Sequence, residues 1–331
     1  MGKTYTGVDI GDSSIKLAVC DGATVSKVAI ETLPDGLVVD GRVVSHDAMA
    51  DLIKSVVKNT GGVPKDAAFV VPGTDSLFRR LSLPAMTEKE LQLNLPYEFR
   101  DYISQGKDRY VYDYAMLGIQ AGPDGAPEGM DLLAVAAPKQ AIADYTEMFR
   151  RAGLYLRVAL PEQAAYQNLV GGNPNALANC CVIDFSHHVT KLHFFLDGAY
   201  DVARVIEIGG IDIDRAIAHE FGVDEHVADQ YKRSNFENSQ TSEAVRGVYQ
   251  SIAVEIGRAL NFYGFNNPNT TIEAAYCCGG GSLLVPLVEA VADHADIRVS
   301  SITDVLPSSK VAAEETIRCP AAIGATMKVG R

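Results

Sequence analysis

The chain is short of positive charge: 29 Lys and Arg stand against 42 Asp and Glu, a net charge of −13. A nucleic-acid partner needs a basic face for its phosphates, so the balance argues against that class. A bound nucleotide is not excluded. Salt screens most repulsion beyond roughly 8 Å, and a local Lys or metal ion decides such a site. No apolar run approaches the ~18 residues of a membrane span, and no signal peptide opens the chain. Residues 2–6 match a myristoylation pattern at Gly2, but residues 4–10 read as the first core strand, so the match is taken as chance. No CxxC occurs. Cys20, Cys180, Cys181, Cys277, Cys278 and Cys319 sit in apolar strands or near a helix start, which reads as buried, reduced thiols of a cytosolic protein. Neither GxxxxGK[ST] nor GxGxxG occurs, so no P-loop or Rossmann fingerprint is available.

What is present is a repeated hairpin. Residues 8–22 read VDIGDSSIKLAVCDG and residues 183–198 read IDFSHHVTKLHFFLDG. Asp9, Lys16 and Leu17 match Asp184, Lys191 and Leu192 at one constant offset. Each copy closes with Asp-Gly, at Asp21-Gly22 and Asp197-Gly198, with a slip of a single residue. Asp-Gly between alternating runs signals a hairpin, and a third strand follows in each copy. The matched Asp and Lys are not needed for turning. With 331 residues the chain exceeds one ordinary core, so the duplication predicts two similar α/β domains facing each other, with both polar turns near one cleft.

Between the copies, residues 48–58 have helical spacing through Met49, Leu52, Ile53, Val56 and Val57, and residues 67–71 form a buried strand. The segment 76–154 has its own pattern. FRRLSLP is a strand. Thr87 and Glu90 form a capping box for a helix running toward Ile103 and kinked at Pro96. Two strands joined by the flexible tip GPDGAPEG follow, then a helix over residues 138–152. The capped helix carries Leu91, Leu95 and Phe99 on one stripe with Tyr102 beside them, which predicts burial against the segment's own sheet. Further on, helices are predicted over 211–221, 224–232 and 242–263. The strand AAYCCGGGS ends in Gly279, Gly280 and Gly281, a helix begins at Leu283, and a short helix closes the chain.

Glycines after a strand and before a helix let a backbone approach phosphate. Gly279-Gly280-Gly281-Ser282 fits, and Gly209-Gly210 is a weaker instance. His187, His188 and His193 read as exposed or hydrogen-bonded histidines rather than a metal set.

Two Asp-bearing turns followed by a strand-end glycine run resemble the actin/Hsp70/sugar-kinase superfamily, whose fold binds ATP between duplicated halves. The segment 76–154 resembles the small subdomain, of SHS2 type, that replaces actin's outer domain in the division protein FtsA. Nearly the whole chain resembles the PilM family of type IV pilus assembly proteins: VDIGDSSIKL, LSLPAMTEKEL…YEFRDYI, LLAVAAPKQAIADYTEMFRRAGL…PEQAA, IGGIDIDRAIA…ADQYK, EIGRALNFY and CGGGSLLVPL.

The resemblance implies a first actin-like domain over 1–75, the insert over 76–154, a return to the first domain over 155–183, a second domain over 184–310 with a helical part at 211–271, and a C-terminal helix over 311–331 that packs back. It implies ATP or ADP with Mg²⁺. Asp9 and Asp184 would face the metal through waters. Gly11, Ser13, Ser14 and Lys16 would hold the phosphates, and Thr190 would match a hydroxyl of the second phosphate turn. Gly209 and Gly210 would stand at the weaker glycine turn. Gly279, Gly280 and Ser282 would line the adenosine, with Asp229 and Lys232 near ribose and base. Glu162 would sit where a water is oriented for attack. Two departures stand out. Ser186 replaces a glycine of the second turn, and Asp212 replaces a threonine near the phosphates. Both imply weakened ATP binding and slow or absent hydrolysis.

The implied partner is the N-terminal tail of a PilN-like inner-membrane protein, held in a groove beside the insert, along with other components of the pilus platform. The protein would be cytoplasmic and meet the membrane only through that partner, with self-association left open. Two alternatives remain at this point. A small-molecule kinase of the same superfamily would need a base for a substrate hydroxyl, and no Asp beyond the Mg²⁺ pair offers one. An FtsA-like division protein would end in an amphipathic helix, whereas this chain stops at Lys328-Val329-Gly330-Arg331.

Overall fold

The computed structural model describes residues 3–21 and 23–327. Gly2, the Gly22 of the first Asp-Gly turn and residues 328–331 lie outside the described residues. The chain divides into two compact units. Met1–Leu169, Pro307–Val311 and Ala321–Arg331 form one; Val170–Leu306 and Ala312–Pro320 form the other.

The duplication is visible strand by strand. The first unit's sheet runs Tyr155–Pro161, Asp66–Val71, Thr6–Ile10, Ser14–Asp21, Thr24–Thr32 and, at the edge, the two-residue strand Ser308–Ser309. The second unit's sheet runs Arg298–Ser301, Ala274–Gly279, Cys180–Phe185, Thr190–Leu196 and Ala199–Ile206. In each, the first strand of the hairpin pairs antiparallel with the second and parallel with a later strand. Asp9 stands opposite Lys16, and Asp184 opposite Lys191. The constant offset in sequence is therefore an equivalence of register.

A register break recurs as well. It falls after Val19 in one hairpin and after Phe194 in the other, at equivalent positions. An extra residue there bends the third strand and increases its twist. The one-residue slip of the Asp-Gly pairs also has a cause. Asp21 still pairs with Thr24 as the last strand residue, whereas Asp197 and Gly198 are themselves the loop, with φ of 52° and 73°. A two-residue hairpin loop of the primed type needs positive φ at both positions.

Each sheet buries its apolar alternation against helices. In the first unit Val8, Ile15 and Leu17 pack with Met49, Ile53 and Val56 of His46–Asn59 and with Tyr145, Met148 and Phe149 of Lys139–Arg151. In the second, Ile183, Leu192 and Phe194 pack with Gly210–Phe221, Glu243–Asn266 and Val285–His294. All six cysteines are buried, and none is joined in a disulfide. Burial pushes the Cys180 and Cys277 thiols up to about 12, so they remain protonated and inert.

The inserted strands form a third sheet, ordered Leu77–Pro84, Pro127–Pro138, Tyr110–Ala121. Thr87 caps Glu88–Glu98: its Oγ1 accepts from the Glu90 amide at 3.3 Å while Glu90 Oε2 accepts from the Thr87 amide at 2.8 Å. Leu91, Leu95 and Phe99 are buried against this sheet, as the stripe predicts. The helix stops at Glu98 rather than kinking on toward Ile103. Pro96 has no amide to donate, and the chain continues as single turns, Tyr102 N to Phe99 O and Arg100 N to Tyr97 O. Tyr102 accordingly leaves the stripe; it is exposed, with the Arg79 guanidinium 4.3 Å over its ring. The tip is shorter than GPDGAPEG: Gly122 N bonds Ala126 O, and the strand resumes at Pro127. Gly280–Leu283 forms a 3₁₀ turn, so the following helix starts at Val285 rather than Leu283.

Candidate functional site

In the first unit the polar turn grows out of the hairpin itself. Lys16 and Asp9 close the strand pair as an ion pair, Nζ to Oδ2 at 3.2 Å, with 20% and 17% of the respective side chains exposed. Gly11 N donates to Ser14 O at 3.0 Å, and Ser13 O accepts from Leu33 N at 3.0 Å. Gly11, Ser13 and Ser14 are half-buried. Glu162 is the first residue of Glu162–Val170 in this same unit and is half-buried.

The second unit repeats the turn with differences. Ser186 N donates to Val189 O at 3.1 Å, the counterpart of the Gly11–Ser14 bond. The Ser186 hydroxyl, which a glycine would not have, donates to Asp184 Oδ1 at 3.1 Å. Thr190 is fully buried, and its hydroxyl donates to Ile208 O at 2.9 Å. Below the turn, Gly210 N donates to Ser186 O and Ile211 N to His187 O, at 3.0 and 2.8 Å. Gly209 N donates to Asp212 Oδ2 at 2.9 Å. Asp212 thus caps its own helix, and the leading amides of Gly210–Phe221 are already engaged, which lowers their capacity for an outside anion. A Cβ at Gly209 would lie 2.5 Å from the His188 backbone carbon. Close backbone approach accounts for this glycine without a ligand.

The glycine strand end converges on the same aspartate. Gly279 has φ of 83°, and a Cβ there would lie 2.4 Å from Asp184 Oδ1 and 2.5 Å from Phe185 O. At Gly280 a Cβ would meet nothing within 4 Å. Ser282 Oγ donates to Gly279 O at 2.7 Å and tightens the turn. Gly279 is thus the seat of the turn against Asp184, and Gly280 is its open face.

Asp229 and Lys232 lie on Glu225–Ser234. Lys232 Nζ is 2.7 Å from Asp214 Oδ1 and 3.1 Å from Asp229 Oδ1, and Arg233 Nε is 2.8 Å from Asp229 Oδ2. Asp214 is nearly fully buried on Gly210–Phe221. Burial raises its pKa against the pull of Lys232. Burial also works upward on Asp229, but Lys232 and Arg233 outweigh it and hold that carboxyl below its ordinary value. Lys232 therefore ties two helices together.

The histidines do not gather. His193 is buried with Nδ1 3.2 Å from the Tyr200 hydroxyl, while the His187 and His188 rings lie edge to face at 4.7 Å. Among the described residues no group of three or more His, Cys, Asp or Glu could hold a metal. One residue that sequence reasoning passes over is Arg318. No motif marks it, and only folding brings it to Gly279, whose amide donates to Ile317 O at 2.9 Å.

Two units with the same five-strand order, each with an aspartate near the end of its central hairpin strand, define the actin-like α/β class shared with sugar kinases. A family model described as type IV pilus assembly protein PilM matches residues 7–319. The chain belongs to that family of type IV pilus assembly proteins. Among solved structures, it is similar to a PilM–PilN type IV pilus biogenesis complex, with 23% identity, 97% of each chain covered and a TM-score of 0.79. It is also similar to the ethanolamine utilization protein EutJ from Carboxydothermus hydrogenoformans, with 16% identity, 98% of this chain and 90% of that one covered, and a TM-score of 0.61. MreB 5 of Spiroplasma citri bound to AMPPNP follows, with 12% identity, 98% and 95% covered, and a TM-score of 0.53. No curated protein matches the chain by sequence.

Proposed function

We propose that this chain is a nucleotide-binding scaffold of the pilus machinery, which takes ATP or ADP with Mg²⁺ and docks on the tail of a PilN-like inner-membrane protein. The observation that carries the nucleotide reading is the convergence of Gly279 on Asp184, with open backbone at Gly280. The solved MreB relative was bound to AMPPNP, which supports the same ligand class. The residues fit the group. Asp9 and Asp184 are hard oxygen donors at equivalent positions, suited to Mg²⁺ that keeps its waters. Lys16 and the half-buried turn Gly11, Ser13 and Ser14 supply a cation and donors for phosphate. Gly279, Gly280, Ser282, Asp229 and Lys232 would face the adenosine. A bound Mg²⁺ would neutralise phosphate charge; the chain's own task is to hold and orient.

Hydrolysis is slow or absent in this reading. The Ser186 hydroxyl occupies Asp184, Asp212 places a carboxylate at the helix start, and Thr190 is tied to Ile208. Glu162 is left as the residue to orient a water. Calorimetry on protein stripped of nucleotide should give heat with Mg²⁺ and ATP, and steady-state turnover should stay below roughly one per second, the low end of ordinary enzymes. Silence at millimolar ATP would remove the nucleotide from the account.

The partner reading rests on the family and on the solved relative, which was a complex with PilN. No helix among the described residues is long and apolar enough to cross a membrane, so the partner would bring this protein to the inner face of the membrane. A pull-down from membranes with a tagged chain, with and without ATP, is the direct test.

A further inference from the structure

The guanidinium of Arg318 stands out among the cations of the second unit. It is half-buried, and among the described residues its side chain makes no hydrogen bond and no ion pair. Its neighbours are otherwise matched. Lys232 is held by Asp214 and Asp229, and Arg233 by Asp229. Asp229 and Glu315 help Arg318 only at a distance, while burial and the nearby Arg233 disfavour its charge. A half-buried cation beside a like charge is a cost that the free protein leaves uncompensated.

Its position says what would compensate it. Ile317 O holds the Gly279 amide at 2.9 Å, so Arg318 leaves the chain at the foot of the glycine turn. The next glycine, Gly280, has open space over its α-carbon. On the helix side, the positive charges of Lys232 and Arg233 are spent on carboxylates. The setting is therefore a single unsatisfied planar cation on the residue next to the one that holds the glycine turn, with little net positive charge around it. An anion would prefer a cluster of free cations. A flat, electron-rich ring suits a lone guanidinium, which stacks on aromatic faces and is weakly hydrated.

We propose that Arg318 is a base-positioning residue: its guanidinium covers the purine ring of the bound nucleotide beside Gly280, and it acts on the base and not on the phosphates. This rests on the nucleotide reading above and adds a determinant to it.

The test uses the full chain, stripped of nucleotide, with Arg318→Ala and Arg318→Lys, and measures calorimetric affinity for AMP, ADP and ATP. A desolvated stacking contact of this kind should weaken all three by the same factor, about tenfold. Arg318→Lys should recover little, because an ammonium does not stack as a plane. Thermal unfolding of the ligand-free variants should show a melting temperature no lower than that of the parent chain, since the removed charge has no partner there. Three results would overturn the proposal: unchanged affinities in Arg318→Ala, a penalty that grows from AMP to ATP, or full recovery with Lys, the last two placing the guanidinium on phosphate. If the parent chain itself binds none of the three, the nucleotide reading has failed and this inference falls with it. Binding by the parent with no change in the variants sinks the role of Arg318 alone.

Discussion

At the scale of single residues, neighbouring glycines in one turn have opposite constraints. Gly279→Ala would force a methyl to 2.4 Å from Asp184 Oδ1 at a φ of 83°. The expected cost is roughly 2–3 kcal/mol, read from chemical denaturation, because strained backbone and a half-buried carboxylate must both shift. Gly280→Ala meets nothing within 4 Å and has no positive φ, so stability should move by no more than about 0.5 kcal/mol. Nucleotide affinity should fall in that variant if the open face is where ligand lies. Equal destabilisation by both variants would contradict this division of roles.

Tyr145 gives a pH signature. Its hydroxyl donates to Asp75 Oδ2 at 2.6 Å inside the first unit's core. Burial first, and the bond to Asp75 second, push its pKa far above that of an ordinary phenol. The folded value lies above the unfolded one, about 10. Its contribution is therefore complete below pH about 10 and is lost as pH rises beyond that. Tyr145→Phe should lower stability at pH 7 by about 1–2 kcal/mol, as Asp75 loses a donor, and should flatten the decline between pH 10 and 11. A melting curve of the variant as steep against alkaline pH as the parent's would show that other groups set that slope.

At the scale of elements, the insert keeps its own accounts. Its sheet and Glu88–Glu98 share a core of Leu81, Leu91, Leu95, Phe99, Leu132 and Ala134. Leu95→Ala should cost that core roughly 2–5 kcal/mol. Hydrogen exchange should then accelerate across residues 77–138 while the strands Thr6–Ile10 and Cys180–Phe185 keep their protection. Acceleration across the whole chain would mean that the insert and the main sheet unfold as one. The helix Lys139–Arg151 behaves differently. Although it follows directly on the insert's last strand, Tyr145 and Phe149 pack on Phe69 in the main core.

At the scale of the whole molecule, that boundary defines a clean deletion. Leu77 pairs with Ala136, so a short linker from Ser76 to Lys139 would replace residues 77–138 without disturbing the helix Lys139–Arg151. The shortened chain should lose binding of a PilN-like tail peptide, measured by fluorescence anisotropy, and keep measurable ATP binding. With the full chain, the peptide should protect amides of the insert and of the adjoining first-unit strands from exchange. Protection confined to residues 211–271 would place the partner on the other unit.

The sequence by itself determined the duplication, down to the residue. The alternation and the Asp-Gly signals are local, so the match of Asp9 and Lys16 with Asp184 and Lys191 could be read from spacing, as could the Thr87 capping box and the Leu91, Leu95, Phe99 stripe. It also marked the glycine strand end, because backbone that approaches closely needs residues without a Cβ. Only the tertiary structure decided what those groups touch. That Gly279 sits on Asp184 and that Lys232 is held by Asp214 are contacts between separate elements of the chain, which no periodicity encodes. The two-residue strand Ser308–Ser309 is too short to show a pattern, and it exists only because Thr24–Val25 offers an edge. Arg318 carries no motif for the same reason: its meaning lies in the partners it lacks, and those become countable only once the chain has folded around it.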